Sequence, residues 1–157
     1  MNTQYATFAA GCFWGVEADF RSLQGIRNVT VGYTGGHADN PTYEQVCSHG
    51  TGHAEAVLVE FDADVISYER LLDAFFSMHN PTQKNRQGWD IGDNYRSAIF
   101  FHSPEQETAA RSAIAQRQSK TRKKIVTEVV SATTFWRAEE YHQQYFAKHG
   151  ISHCRIA

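Results

Sequence analysis

Two hydrophobic periods alternate along this chain, and their order limits its fold more than any other property. Residues 5–10 form a short apolar run that reads as a strand. Residues 14–24 repeat at helical spacing, with Val16, Phe20 and Leu23 at i, i+4 and i+7. Period two returns at 28–33, where Val29, Val31 and Tyr33 share a face, and again at 54–61. Ser67 is placed to cap a helix over 68–78 whose apolar stripe is Leu71, Leu72, Phe75 and Phe76, and Asn80-Pro81 ends it. Residues 96–101 read as a further strand.

This order, β-α-β-β-α-β, is that of an α+β ferredoxin-like split βαβ plait, an antiparallel sheet with its helices on one face. Further elements follow. Ser103-Pro104-Glu105-Gln106 has the form of a capping box with proline at the first helical position, opening a helix to about residue 119. Residues 125–132 read as an additional strand and 137–147 as a C-terminal helix. A tail over 148–157, expected to be flexible, carries Cys154. Two stretches lack either period: 34–53, rich in Gly, Asn, Pro, Thr and His, and 82–95, which holds Gly88, Trp89, Asp90, Gly92 and Tyr95. Long loops in small domains often hold function.

At 157 residues the chain has the length of one domain, 1–157, large enough to form a core without staples. Its formal net charge of −2 argues against nucleic-acid or membrane partners. No apolar run approaches the roughly 20 residues of a membrane span. The first ten residues hold no basic segment followed by an apolar one, so no signal peptide and a cytoplasmic location are expected. The three cysteines, Cys12, Cys47 and Cys154, are odd in number and form no C-x-x-C pair. A static disulfide framework is therefore not expected, which leaves room for transient, catalytic pairing.

Within Gly11-Cys12-Phe13-Trp14-Gly15, Cys12 follows a strand and opens a helix. The unpaired N–H groups at a helix start favour a thiolate and lower its pKa. Two adjacent bulky aromatics do not both fit the core side of one helical turn, so Phe13, Trp14 or both are expected to line a pocket. Without them Cys12 reads equally well as a buried, inert thiol. Glu55 shares its strand face with Val57, Val59 and Phe61. A carboxyl there is either desolvated, with a raised pKa that makes it an acid at neutral pH, or reaches water from the strand's start. Tyr43 and Tyr95 lie in the two loops and offer phenols to an oxyanion or an S=O group, although a single tyrosine is more often packing. Cys47, His49 and His53 are too loosely spaced for a strong zinc signal. Lys120 to Lys124 is a solvated helix end, and Gly32, Gly35 and Gly36 lack the Lys-Ser/Thr of a phosphate loop. No metal or cofactor is expected.

Together the segments Gly11–Gly15, Gly32-Tyr33-Thr34-Gly35-Gly36, Asn40-Pro41-Thr42-Tyr43, Gly52-His53-Ala54-Glu55-Ala56, Tyr95-Arg96-Ser97 and Glu139-Glu140-Tyr141-His142-Gln143-Gln144-Tyr145 resemble the A-type peptide methionine sulfoxide reductases. The likeness spans nearly the whole chain in one order. It implies a thiol oxidoreductase that reduces the S epimer of methionine sulfoxide, free and in proteins, with no cofactor. On this resemblance Cys12 is the nucleophile, and Phe13 and Trp14 form the methyl pocket. Glu55 is the acid, Tyr43 and Tyr95 hold the sulfoxide oxygen, and Asp90 orders the polar side of the pocket. Cys154 resolves the Cys12 sulfenic acid as a disulfide, and thioredoxin restores both thiols. The enzyme is expected to act as a monomer. Two departures stand out: the chain ends soon after Cys154 without the Gly-rich stretch or second recycling cysteine of some members, and Trp89 beside Asp90 is bulky enough to narrow the pocket. A peroxide-reducing thiol enzyme and a non-catalytic methionine-peptide binder are the competing classes.

Overall fold

The structure, a computed structural model, describes residues 1–151. Its elements run β1 (Thr3–Ala10), α1 (Phe13–Arg21), β2 (Ile26–Thr34), α2 (Tyr43–Cys47), β3 (Ala54–Asp62), α3 (Tyr68–Ser77), β4 (Arg86–Gln87), β5 (Asp90–Ile91), β6 (Ser97–Phe101), α4 (Pro104–Gln118), β7 (Glu128–Ser131), β8 (Trp136–Arg137) and α5 (Tyr145–Lys148), with 3-10 turns at Asp93–Tyr95 and Glu140–His142. The main sheet has the order β7-β6-β1-β3-β2-β8. Its inner four strands are mutually antiparallel, with β3 inserted between β1 and β2, which is the split βαβ plait. β7 extends one edge in parallel with β6, and β8 adds two residues to the other edge.

Strand alternation separates two cores. Phe8, Val57, Val59, Phe61 and Ile99 face the helices and are fully buried. Phe8 stacks between Phe20 of α1 and Phe75 of α3, at 5.2 Å from each ring. Ala110 and Ala113 of α4 join this cluster. The opposite face carries the small side chains Ala9, Ala54, Ala56 and Ala98 with Phe100, covered by Ala132 and Phe135.

Three local readings change. The loop 34–53 contains α2, whose cap is a complete capping box: Thr42 Oγ1 accepts from Gln45 N, and Gln45 Oε1 accepts from Thr42 N. At α4 the box is half made. Ser103 Oγ accepts from Gln106 N at 3.2 Å, but Gln106 Oε1 accepts from His102 N, one residue before the cap.

The expected helix 137–147 is replaced by β8, a 3-10 turn and the four-residue α5. Gln143 explains the break. Its side chain accepts from Val31 N and donates to Val31 O and Ala138 O, which ties the chain along the edge of β2. Gln144 then takes a left-handed conformation (φ +54°), and its N–H is held by both oxygens of the buried Glu17 carboxylate. Tertiary hydrogen bonds here outweigh helical propensity. No described helix is long and apolar enough to cross a membrane.

Candidate active site

The turn from β1 into α1 is tight because Gly11 has φ +97°, and a Cβ there would come within 2.9 Å of Gln87 Cγ. This places Cys12 at the N-cap of α1, where its sulfur meets the N–H groups of Trp14 and Gly15. Those groups lower the thiol pKa, as the sequence suggests, but they are outweighed. Burial first, then the charges of Glu55 and Asp90, push Cys12 up to about 12. The expected depressed pKa is thus reversed in the resting site.

Glu55 is 1% exposed, so it does not reach water from the start of its strand. Its Oε1 accepts from Phe13 N at 3.2 Å. Its Oε2 has no hydrogen-bond partner among the described residues. The Asn94 amide leans on the carboxyl as a weak, poorly aligned donor, leaving its own buried nitrogen and oxygen short of a full hydrogen bond. Burial raises the Glu55 pKa to about 8, with the Asp90 charge adding to the effect and the two donors opposing it. Glu55 is a protonated acid at neutral pH.

Tyr43 begins α2 with its ring stacked over Phe13 at 6.4 Å and Trp14 at 6.3 Å. Tyr95 arrives from the 3-10 turn after β5. The Cys47 thiol lies within electrostatic reach of both hydroxyls. Burial, and next the Glu55 charge, hold both phenols above their ordinary range, so they remain donors. The Cys12 and Asp90 charges also reach Tyr95. Cys12, Glu55, Asp90, Tyr43 and Tyr95 therefore form one electrostatic cluster, drawn from two helix starts, a strand start, one hairpin and the 3-10 turn that follows it.

A cavity of about 260 Å³ opens beside Cys12, with Trp14, Val16, Met78, Asp90 and Phe146 among its walls. Trp14 faces it, whereas Phe13 is 1% exposed, is not one of the walls, and packs against Tyr33 and His142. Trp89 does not narrow the cavity, since it is 89% exposed and projects from the β4–β5 hairpin. Cys154 lies outside the described residues.

The structure adds residues that the sequence reading left aside. His142 Nδ1 accepts from Trp14 Nε1 at 2.9 Å, and its ring lies 4.4 Å from that of Tyr43. Glu139 accepts from Tyr33 OH and Tyr43 N. The only sequence signal for either residue was membership of the Glu139–Tyr145 segment. Cys47 is coupled to the two phenols, and nothing in its spacing announced this. His53 is engaged at both ring nitrogens by Gly36 N and Ala38 O.

The peptide methionine sulfoxide reductase profile matches residues 4–157. The chain belongs to that family. Among its relatives, the peptide methionine sulfoxide reductase MsrA of Acidobacterium capsulatum is 58% identical over 153 residues, covering 96% of this chain and 98% of the relative. Of solved structures, reduced Mxr1 from Saccharomyces cerevisiae superposes with a TM-score of 0.91 at 34% identity, over 98% of this chain and 89% of that one. Mxr1 in complex with Trx2 gives a TM-score of 0.67 at 28% identity, over 92% and 85% of the two chains. The cluster around Cys12 is therefore the candidate active site of a methionine sulfoxide reductase.

Proposed function

We propose that this reductase acts on the S epimer of methionine sulfoxide, free or in proteins, with Cys12 as nucleophile and Glu55 as acid. The observation that supports this most is the Glu55 carboxyl: buried, protonated at neutral pH, and close enough that its ionised form acts on Cys12, Tyr43 and Tyr95. A sulfoxide oxygen does not leave as oxide, so it needs a proton. Glu55 gives one to that oxygen and takes the Cys12 proton as the Cys12 sulfur attacks, while the two phenols hold the oxygen as charge builds. The Cys12 sulfur bonds to the substrate sulfur, the protonated oxygen passes to the Cys12 sulfur as its bond to the substrate breaks, and the sulfur–sulfur bond then breaks to release methionine. Cys12 keeps the oxygen as sulfenic acid, so sulfur, oxygen and protons balance.

Trp14 supplies the wall beside the methyl group, and its indole face stabilises positive character on the attacked sulfur. Phe13 supports Tyr43 from the core, and Asp90 orders the polar side. Cys154, on the tail 148–157, condenses with the sulfenic acid, releasing water and forming a Cys12–Cys154 disulfide. Thioredoxin reduces that disulfide by exchange; the structural likeness to Mxr1 in complex with Trx2 supports this donor. The enzyme works as a monomer in the cytoplasm.

The test is turnover of separated S and R epimers of a blocked methionine sulfoxide with dithiothreitol, comparing wild type with Cys12→Ser. Consumption of the S epimer alone, abolished in the variant, is expected. Turnover of the R epimer, or activity that survives Cys12→Ser, overturns the proposal.

A further inference from the structure

The β4–β5 hairpin is short, yet it presents Trp89 at 89% and Ile91 at 67% exposure, an apolar pair that has no packing role. They flank Asp90, which turns the other way and lines the cavity beside Cys12. Trp89 occupies the two-residue turn between β4 and β5, and Ile91 lies on β5 on the side opposite Asp90.

The platform is fixed rather than loose. Gln87 accepts from Asn80 N and donates to Asn80 O, both at 2.9 Å. Gly88 N donates to Gln83 Oε1 at 2.8 Å, and Arg86 Nη2 donates to Gly88 O at 2.7 Å. Gly92 N donates to Asn85 O at 2.9 Å, closing the base of the hairpin. A tryptophan carried on a hydrogen-bonded hairpin has its backbone placed before contact, which suits it to recognition.

We infer that Trp89 and Ile91 form a docking rim for the apolar residues that flank a methionine sulfoxide in an opened protein chain. The inference rests on the seat proposed above for the sulfoxide at Cys12. A side chain in the cavity leaves its backbone at the mouth, one residue from Asp90. A free amino acid ends there, while a polypeptide continues over the rim. Methionine is a core residue, and oxidation disrupts the packing that hides the apolar residues near it. The occupant that fits is therefore an extended apolar segment.

The experiment compares three substrates of the S epimer with dithiothreitol as reductant, so that no protein dithiol takes part. They are a blocked amino acid, a peptide with Val and Leu around the sulfoxide, and a peptide with Ser and Asn there. Wild type is expected to favour the apolar peptide by about tenfold in kcat/KM, through KM. In the double variant Trp89→Ser, Ile91→Ser that preference falls to near one while the blocked amino acid is turned over unchanged. Trp89→Phe keeps most of the preference.

Equal use of both peptides by wild type, or a preference that survives the double variant, overturns the inference. So does a defect that extends to the blocked amino acid, which would make the pair part of the pocket. If wild type fails on the blocked amino acid, the proposed function falls, and this inference with it.

Discussion

Glu55 gives the sharpest test of the site's electrostatics, and the readout is stability rather than rate. In the folded chain its pKa lies at about 8 instead of the ordinary 4.5. A raised pKa stabilises the fold fully below 4.5, where both states are protonated, and that contribution is lost as pH rises through about 8. The gap corresponds to roughly 5 kcal/mol, at about 1.4 kcal/mol per tenfold. At 1% exposure the side chain has almost no water to screen it. Glu55→Gln keeps the shape and the acceptor for Phe13 N but cannot ionise. Urea unfolding at pH 5, 7 and 9 should show the variant gaining on wild type by roughly 4 kcal/mol across the series, with the gain levelling off above pH 8. The same variant should lose about 10²–10⁴-fold in kcat while folded. A stability difference that stays flat or narrows with pH would refute the burial argument.

Tyr43→Phe and Tyr95→Phe should each lower kcat by about 10–100-fold with little change in KM, because each removes a donor to the developing oxygen charge; single-turnover kinetics separates the two effects. Trp14→Phe, which removes both the indole face and the bond to His142, should slow methionine release by about tenfold in rapid-quench experiments; an unchanged rate would eliminate the cation–π contribution. Gly11→Ala should cost about 1–3 kcal/mol, seen as a lower thermal midpoint, since alanine at φ +97° is strained and its Cβ meets Gln87. Gln143→Ala should cost about 2–4 kcal/mol and speed amide exchange in residues 138–148, since three buried backbone partners lose their bond.

Periodicity made the inner sheet and its helices legible because one face of each element is buried and nothing else competes there. Whereas its burial at the strand's start was left open, the strand face of Glu55 followed from period two. Its pKa did not, since that required knowing that Phe13, Asn94 and Asp90 close around it. Cys12 at the helix start was legible, but the sign of its shift was not: two helix N–H groups argue one way, and burial beside two carboxyls argues the other more strongly. The segment after residue 136 misled because Gln143 and Gln144 are good helix formers whose hydrogen bonds go instead to Val31, Ala138 and Glu17, up to 127 residues away in sequence. The helix α2 was overlooked because five residues are too few for a periodic signal, although its Thr-x-x-Gln cap was in plain view.

The burial of the Cys12 sulfur beside two carboxyls has a consequence for the enzyme's own survival. Hydrogen peroxide attacks thiolates, and a thiol pushed up to about 12 presents almost none at neutral pH. The resting thiol is thereby a poor target for the oxidants whose damage the proposed reaction reverses, and only the sulfenic acid of turnover stands on the path to sulfinic acid. Reactivity is lent to the sulfur only when a sulfoxide arrives and draws the proton off Glu55. On the mechanism proposed above, the nucleophile stays latent with its own substrate as the key, which suits a protein that must work in the conditions that create the need for it.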